Sequence, residues 1–287
     1  MSSESGVVIV DKPSAVTSHQ VVGRLRRLLG TRKIGHAGTL DPMATGVLIL
    51  GVNRATRLLG HLALHDKRYL ATVRLGASSN TDDADGEVVA VADASRLTRD
   101  EIDRALDAQR GDILQVPTTV SAIKVDGKRA YALARAGEQV ELKARPVTVS
   151  RLDVLDVRSS GATLDVDLDV ECSSGTYIRA IARDLGGALG VGGHLTALRR
   201  TRIGGYGLED AVTLGDEAPP LMSMADAARL SFPVLDLSED QARDVGYGRP
   251  LGLEVPANPT GLISPAGDLL ALYRPAEEGS RPVAVLV

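Results

Sequence analysis

The segment from Gly35 to Gly46 restricts the backbone more than any other part of the chain. Its sequence is GHAGTLDPMATG. The three glycines permit backbone conformations and close approaches that other residues resist, and Pro42 drives Asp41 toward an extended backbone. One strand-like run occurs earlier in the chain, at Gly6–Val10, and another directly follows the segment, at Val47–Leu50. We therefore expect Gly35–Gly46 to be a loop beside buried strands.

Asp41 is the one ionisable acid in this loop. A carboxylate on a constrained loop, next to the apolar Leu40 and Met43, suits a catalytic acid, base or nucleophile. From residue types alone, the commoner role of such an aspartate is structural, as a helix cap or in an Asx turn. The residue types alone leave both interpretations open.

Strand-like and helix-like stretches alternate along the rest of the chain. Thr17 or Ser18 could cap a helix running to about Leu29. The later predictions are a strand at Tyr69–Leu75, a helix at Leu97–Arg110 with Thr98 as N-cap and Glu101 at capping-box spacing, paired strands at Val147–Val157 and Ala162–Val170, and a helix at Thr176–Leu189. Beyond Pro219-Pro220, a short helix near Glu239–Val245 and several short strands predict a small β-rich domain. With 287 residues, we expect an α/β (α+β) protein of two domains.

The distribution of charge is more informative than the net charge of −4. From Gly207 onward there are 13 acidic and 5 basic residues. Positive charge is concentrated earlier, in clusters at Arg24–Lys33, Lys124–Arg145 and Arg199–Arg202. Arginine, which outnumbers lysine 27 to 6, suits bidentate contacts with phosphate. These clusters fit either RNA binding or ordinary solvated surfaces.

The sequence disfavours a membrane-spanning protein and a secreted protein. No apolar run approaches membrane-spanning length, and the N-terminus lacks a signal-peptide pattern. Cys172 is the only cysteine, so no intramolecular disulfide can form, and we expect a cytoplasmic setting without membrane contact.

Several segments resemble, in order and at matching spacing, the motifs of the TruB family of bacterial tRNA pseudouridine synthases. The run Lys33–Gly46 resembles the catalytic motif of the family. The other segments, all in the first three quarters of the chain, are Asp11-Lys12-Pro13, Asp66-Lys67-Arg68-Tyr69, Gln115–Pro146, Ser174–Arg179 and His194–Arg200. The resemblance implies the pseudouridine synthase fold, with a mixed, largely antiparallel central sheet, and isomerisation of uridine 55 in the T loop of tRNA.

The resemblance also implies roles for particular residues. Asp41 matches the essential aspartate and Arg179 the arginine that pairs with it. Tyr69 matches a tyrosine that packs on the target base, whereas Tyr177 matches a second pocket tyrosine, for which the resemblance implies a part in proton transfer at C5. The remaining matches are Leu198 at the edge or face of the base, His36 near the flipped nucleotides, and Lys12 and Pro13 as supports of the loop.

The resemblance implies that the protein grips the T arm of tRNA with basic residues. The RNA-binding candidates are Arg24, Arg27, Arg32, Lys33, Lys124, Lys128, Arg129 and Arg145. The region of about 118–146 matches a thumb loop that orders on RNA binding. Because the target base is stacked in RNA, the enzyme must flip it out, into a pocket formed by the two tyrosines and Leu198 with Asp41 at its floor.

The C-terminal part resembles a PUA-like RNA-binding module. We therefore expect a catalytic domain at 1–225 and a PUA-like domain at 226–287, although the acidic tail could equally be a stabilising appendage. Isomerisation involves no redox step, so we expect no cofactor and no metal. His61 and His65 have metal-ligand spacing but no evident third ligand. We expect a monomer, although nothing in the sequence specifies the oligomeric state.

Two other classes of function stay open at this stage. A tRNA-folding protein would need the basic loops but not Asp41. A nucleoside hydrolase would release free base, and such enzymes usually carry two carboxylates beside the bond.

Overall fold

The computed structural model describes residues 4–118, 124–125, 128–129 and 142–287. The chain forms two compact units. Unit 1 comprises Met1–Pro42, Gly46–His65 and Arg202–Val287, and unit 2 comprises Met43–Thr45 and Asp66–Thr201. Among the described residues, no helix has both the length and the apolar character needed to cross a bilayer.

The described strands and helices are numbered here in chain order. The strands are β1 (Gly6–Lys12), β2 (Ile34–Ala37), β3 (Thr45–Val52), β4 (Lys67–Leu75), β5 (Ala77–Ser79), β6 (Val88–Ala90), β7 (Gly111–Gln115), β8 (Lys124–Val125), β9 (Lys128–Arg129), β10 (Arg145–Ser160), β11 (Thr163–Cys172), β12 (Gly193–Ile203), β13 (Tyr206–Gly207), β14 (Val234–Asp236), β15 (Thr260–Ile263), β16 (Leu269–Pro275) and β17 (Ser280–Val285). The α-helices are α1 (Ser18–Leu29), α2 (Leu59–Leu62), α3 (Arg99–Asp107), α4 (Ile178–Ala188), α5 (Met224–Ser231) and α6 (Glu239–Gly246).

In unit 1, β3 pairs antiparallel with both β1 and β2. The C-terminal strands form a separate sheet in the order β14-β15-β16-β17, in which β14 and β15 are parallel and the other pairs are antiparallel. One apolar cluster joins Val7 and Ile9 of β1 to C-terminal residues such as Leu272 and Leu286. The N-terminal strands and the C-terminal residues therefore share a core.

In unit 2, the strands follow the order β12-β4-β11-β10-β7. The pairs of β11 with β4 and β10, and of β10 with β7, are antiparallel. The apolar residues of β4 and β11, such as Val73 and Val166, alternate onto one buried face. Helix α4 approaches the start of β12 so closely that a Cβ on Gly186 would lie 2.1 Å from the Gly193 nitrogen, and only glycine fits there.

The opposite face of this sheet is charged. Arg68 pairs with Asp169 at 2.6 Å and Arg74 with Asp165 at 2.7 Å. These pairs link β4 to β11 across the strands. The two faces place alternate residues of β4 in different environments, and Tyr69 belongs to the buried set.

The predicted fold class is confirmed: an α/β protein with mixed, mostly antiparallel sheets and a small C-terminal sheet. The predicted caps are confirmed too, since Thr17 and Thr98 each close a capping box. One prediction was wrong in part. Ile34–Ala37 is a strand paired with β3, so the loop after Gly35 begins only at Gly38. Backbone pairing with β3 has overridden the glycine-rich composition.

Candidate active site

The loop at 38–44 holds Asp41 between β2 and β3. Gly38 has φ 76°, a left-handed conformation that favours glycine, and it turns the chain away from β2. Asp41 is partly buried, whereas the preceding Leu40 is 3% exposed. The side chain of Leu40 therefore anchors the loop next to the carboxylate.

Ser18 holds the backbone immediately before Asp41. Its Oγ accepts a hydrogen bond from the Leu40 N–H at 3.0 Å and donates to the Leu40 carbonyl at 3.1 Å. Ser18 is 1% exposed. Thr17 caps α1, so the Ser18 hydroxyl is available for the loop.

Lys12 holds the backbone immediately after Asp41. Its ammonium donates to the carbonyls of Pro13, Val16 and Pro42 at 2.8, 2.6 and 3.2 Å. The whole side chain is buried. Since Leu40 and Pro42 are both fixed, the main chain of Asp41 has little freedom to move. Pro13 supplies one of the three carbonyls, and the role of Lys12 and Pro13 as supports of a catalytic loop stays a prediction.

His36 lies on β2, five residues before Asp41, and is partly buried. Its ring meets that of His19 on α1 edge to face, with the centroids 5.4 Å apart. The contact orients the His36 ring within unit 1.

Tyr69 lies on β4 in unit 2, opposite Val170 of β11. It is 7% exposed. Its place on the buried face of the sheet leaves little of the ring in contact with solvent.

Tyr177 is the N-cap residue of α4. Its N–H donates to Oε1 of Gln115 at 2.8 Å, and its carbonyl accepts from Nε2 of the same side chain at 3.1 Å. Sequence reasoning placed Gln115 in a family motif but gave its side chain no role. The contact joins residues 62 positions apart and leaves no local signal.

Arg179, in the first turn of α4, forms an ion pair with Asp83. The distance from Nη1 to Oδ2 is 3.2 Å, and neither side chain is more than 6% exposed. Nη1 also donates to the Thr81 carbonyl at 3.0 Å. Sequence reasoning missed Asp83, which lies in the acidic turn TDDADG. The predicted pairing of Arg179 with Asp41 stays a prediction.

Leu198 lies on β12 and is 7% exposed. Strand β12 is fastened to β4 by Thr196, whose hydroxyl donates to the Thr72 carbonyl at 3.1 Å. Unit 2 thus carries Tyr69, Tyr177, Arg179 and Leu198, whereas unit 1 carries His36, Asp41, Lys12 and Pro13.

Comparison with known families covers most of the chain. Residues 26–178 match the TruB family pseudouridylate synthase (N terminal domain). The chain belongs to the TruB family. Residues 179–221 match the tRNA pseudouridylate synthase B C-terminal domain of the family and 232–287 match tRNA Pseudouridine synthase II, C terminal. As a TruB-family pseudouridylate synthase, the chain is an isomerase, as the sequence motifs predict.

Individual TruB relatives match from end to end. The tRNA pseudouridine synthase B of Cutibacterium acnes is 58% identical, over 99% of this chain and 99% of the relative. That of Mycolicibacterium paratuberculosis is 55% identical, over 99% and 98%. Among solved structures, a Cbf5-Nop10-Gar1 complex matches with a TM-score of 0.73 and 25% identity, over 98% of this chain and 85% of that chain. This likeness supports the pseudouridine synthase fold.

The segment Asp66-Lys67-Arg68-Tyr69, which matches a TruB motif, also contains a buried lysine, Lys67. Burial lowers the pKa of Lys67 to about 8, and the charge of Arg200 acts in the same direction. Across the strand pair, Lys67 lies opposite Cys172. Burial raises the pKa of that thiol to about 11, so Cys172 is a protonated, buried residue at the end of β11.

The predicted RNA-binding residues are exposed wherever the structure describes their side chains. Arg24, Arg27, Arg32, Lys33 and Arg145 are exposed. Arg24 donates to the Gly215 carbonyl at 3.0 Å and lies 3.4 Å from Asp216. The side chains of Lys124, Lys128 and Arg129, and most of the predicted thumb, lie outside the described residues.

His61 and His65, which have metal-ligand spacing, lie in a packed region of unit 1. The ring of His65 packs on Phe232, with the centroids 5.5 Å apart. Burial lowers the pKa of His61. His65 is thus part of the packing of unit 1.

Proposed function

We propose that this enzyme converts uridine 55 in the T loop of tRNA to pseudouridine, with Asp41 as the catalytic carboxylate. The observation that carries the proposal is the fixation of the loop at Leu40 and Pro42, on either side of Asp41, by Ser18 and Lys12. A reacting group held in advance loses little freedom in the transition state. The relatives named tRNA pseudouridine synthase B support tRNA as the substrate.

The reaction breaks the N1–C1′ bond of uridine, turns the base over and forms a C5–C1′ bond. The proton displaced from C5 is balanced by one gained at N1, so the product has the mass of the substrate. The Asp41 carboxylate assists either by adding covalently to the base or sugar or by removing the 2′ proton. Neither route transfers electrons to a second molecule, so the reaction needs no redox cofactor.

Four further residues have proposed roles in the reaction. Tyr69 offers an aromatic face to the uracil, and Leu198 contacts the edge or face of the base. Arg179 pairs with Asp41 and keeps it ionised, since a nearby positive charge favours the carboxylate. Tyr177 takes part in proton transfer at C5. Asp83 forms an ion pair with Arg179, and Gln115 hydrogen-bonds to the backbone of Tyr177. These contacts support the proposed roles because they hold both residues in place.

The uridine is flipped out of the T loop before it reacts, and His36 holds nucleotides extruded with it. The basic residues from Arg24 to Lys33, and from Lys124 to Arg145, contact the phosphates of the T arm. Residues 226–287 act as a PUA-like module with a weaker contribution, because this part of the chain is acidic. We expect the enzyme to act as a cytoplasmic monomer.

The test is incubation with a T-stem-loop transcript followed by mapping of the modified uridine. A product of unchanged mass, still attached to the RNA and located at position 55, supports the proposal. Free uracil would indicate a hydrolase. RNA binding without any conversion would indicate a tRNA-folding protein.

The grip of the thumb is tested separately by the salt dependence of binding. Arginine-to-alanine changes within Lys124–Arg145 should weaken tRNA binding and reduce the salt slope by about one per phosphate contact removed. A salt slope equal to that of the wild type would remove this segment from the RNA interface.

A further inference from the structure

Gln115 is a buried amide that serves one other residue. It ends β7 and is 3% exposed. Its Oε1 accepts from the Tyr177 N–H at 2.8 Å and its Nε2 donates to the Tyr177 carbonyl at 3.1 Å. Both backbone hydrogen-bonding groups of Tyr177 therefore bond to one and the same side chain.

Tyr177 needs outside support because of its place at the start of α4. It has an extended backbone, φ −104° and ψ 109°, and its side chain does not cap the helix. Its carbonyl also accepts from the Ala180 N–H at 3.1 Å and the Ile181 N–H at 3.3 Å. An N-cap residue normally stabilises the helix with its own side chain. The Tyr177 side chain does not do so here.

A second contact ties the same stretch of chain to α4. Nη2 of Arg183 donates to the Val116 carbonyl at 2.8 Å. Gln115 thus binds the N-cap residue of α4, and the Val116 carbonyl binds Arg183 within the helix. The end of β7 is therefore hydrogen-bonded to the start of α4 at two places.

We propose that Gln115 is a positioning residue for catalysis, which fixes the backbone of Tyr177 and so directs its phenol ring. This inference rests on the proposed function of Tyr177. Only a glutamine suits the position. An acid of the same length lacks the donor, an asparagine is one methylene shorter, and an apolar residue removes both hydrogen bonds to the backbone of Tyr177.

The chain offers a matched control in Gln109. This glutamine is also buried, at 8% exposed, and its Nε2 also donates to a carbonyl of α4, that of Ile181 at 3.4 Å. Gln115→Leu and Gln109→Leu each remove a buried amide that supports the same helix. Only the first removes support from Tyr177.

The experiment measures single-turnover rate and tRNA affinity for both variants. For Gln115→Leu we expect a rate about 10- to 100-fold lower, with the Kd changed less than about threefold, because small misplacements of reacting groups are costly. For Gln109→Leu we expect an unchanged rate at a temperature where both variants are folded. A wild-type rate for Gln115→Leu, or an equal loss in both variants, would overturn the proposal.

The variant Gln115→Glu adds a pH readout that a loss of stability would not give. At high pH its carboxylate still accepts from the Tyr177 N–H but repels the Tyr177 carbonyl. When protonated, it can donate to that carbonyl again. We expect its rate relative to the wild type to recover as the pH falls, and a ratio that is independent of pH would count against the proposal.

A double mutant tests whether Gln115 acts through Tyr177. In a Tyr177→Ala background, Gln115→Leu should cost at most about twofold, because the two residues act as a unit. A full further loss would show that Gln115 acts elsewhere.

Amide hydrogen exchange at Tyr177 gives a readout independent of turnover. It should accelerate in Gln115→Leu and stay unchanged in Gln109→Leu, and unchanged protection in Gln115→Leu would refute the proposal. If the wild type fails to convert the T-stem-loop, the proposed function falls while this exchange result still decides the role of Gln115.

Discussion

At the scale of single residues, the environment of Asp41 depends on two side chains that never reach solvent. Lys12 donates hydrogen bonds to three carbonyls, and Ser18 hydrogen-bonds to both backbone groups of Leu40. Each is a polar group whose removal leaves buried partners unsatisfied, which costs about 1–3 kcal/mol per group. These hydrogen bonds therefore help to hold the loop on both sides of Asp41.

The variant Ser18→Ala tests this support. It should lower the turnover rate at least tenfold, a direction and rough size expected from the loss of a fixed geometry, and lower stability by about 1–3 kcal/mol. Thr17→Ala is the control, since it removes the α1 cap at a cost of about 1 kcal/mol without contact to Leu40. Equal rates for the two variants in single-turnover assays would contradict the role of Ser18.

Lys67 gives a prediction about pH. Its pKa is about 8 in the folded protein and 10.5 when unperturbed, so below pH 8 the folded state carries a buried ammonium that the unfolded chain leaves in water. Stability from this group therefore rises as the pH increases from 8 to 10.5, by about 3 kcal/mol in total.

Thermal unfolding at several pH values measures this effect. The Tm of Lys67→Met relative to the wild type should fall as the pH rises from 7 to 10, because the wild type gains stability that the variant cannot gain. Lys33→Met, at an exposed position, is the control and should show a constant difference. A constant difference for Lys67→Met as well would argue against the lowered pKa.

At the scale of elements, patterned strands and capped helices were predictable and contacts between distant elements were not. Helix α3 follows from Thr98, Glu101 and its apolar stripe. Strand β2 was missed because glycine and histidine give no strand signal without the partner β3. Strand β12 was missed because its arginines obscure the alternation. The motifs located Arg179 and Tyr177, but Asp83 and Gln115 hold them through tertiary hydrogen bonds that no spacing in the sequence reveals.

The turn carrying Asp82 and Asp83 supports α4 at two points. Asp83 pairs with the buried Arg179, and Asp82 pairs with the more exposed Arg183 at 3.4 Å. Asp83→Asn should reduce the turnover rate about 100-fold, because it removes the charge that fixes Arg179. Asp82→Asn should cost less than a tenth of that loss. Similar rate losses in the two neighbours would show that the turn matters only for stability.

At the scale of the whole molecule, the acidic part of the chain and the apolar core of unit 1 do not have the same boundaries. Acidic residues dominate from Gly207 onward, and a catalytic domain at 1–225 followed by a PUA-like domain at 226–287 stays a prediction. The apolar core of unit 1 nonetheless includes Val7 and Ile9 together with Leu272 and Leu286. Binary patterning predicts which residues are buried but not which distant segments share a core.

The shared core predicts that damage in the C-terminal sheet reaches the N-terminal strands. Leu272→Ala should lower stability by about 2–5 kcal/mol and accelerate amide exchange in β1 and β3. Val283→Ala, which alters an exposed side chain of β17, should do neither. If exchange after Leu272→Ala increases only within 226–287, that part of the chain is an independent folding unit.

Asp41 performs the proposed chemistry on a uridine of the T loop. The most direct measurement is the yield of pseudouridine from a T-stem-loop transcript by Asp41→Asn beside the wild type, with tRNA affinity determined for both. We predict no product from the variant and an affinity within about tenfold of the wild type, since RNA contacts are spread over many phosphates. Full conversion by Asp41→Asn would contradict the claim.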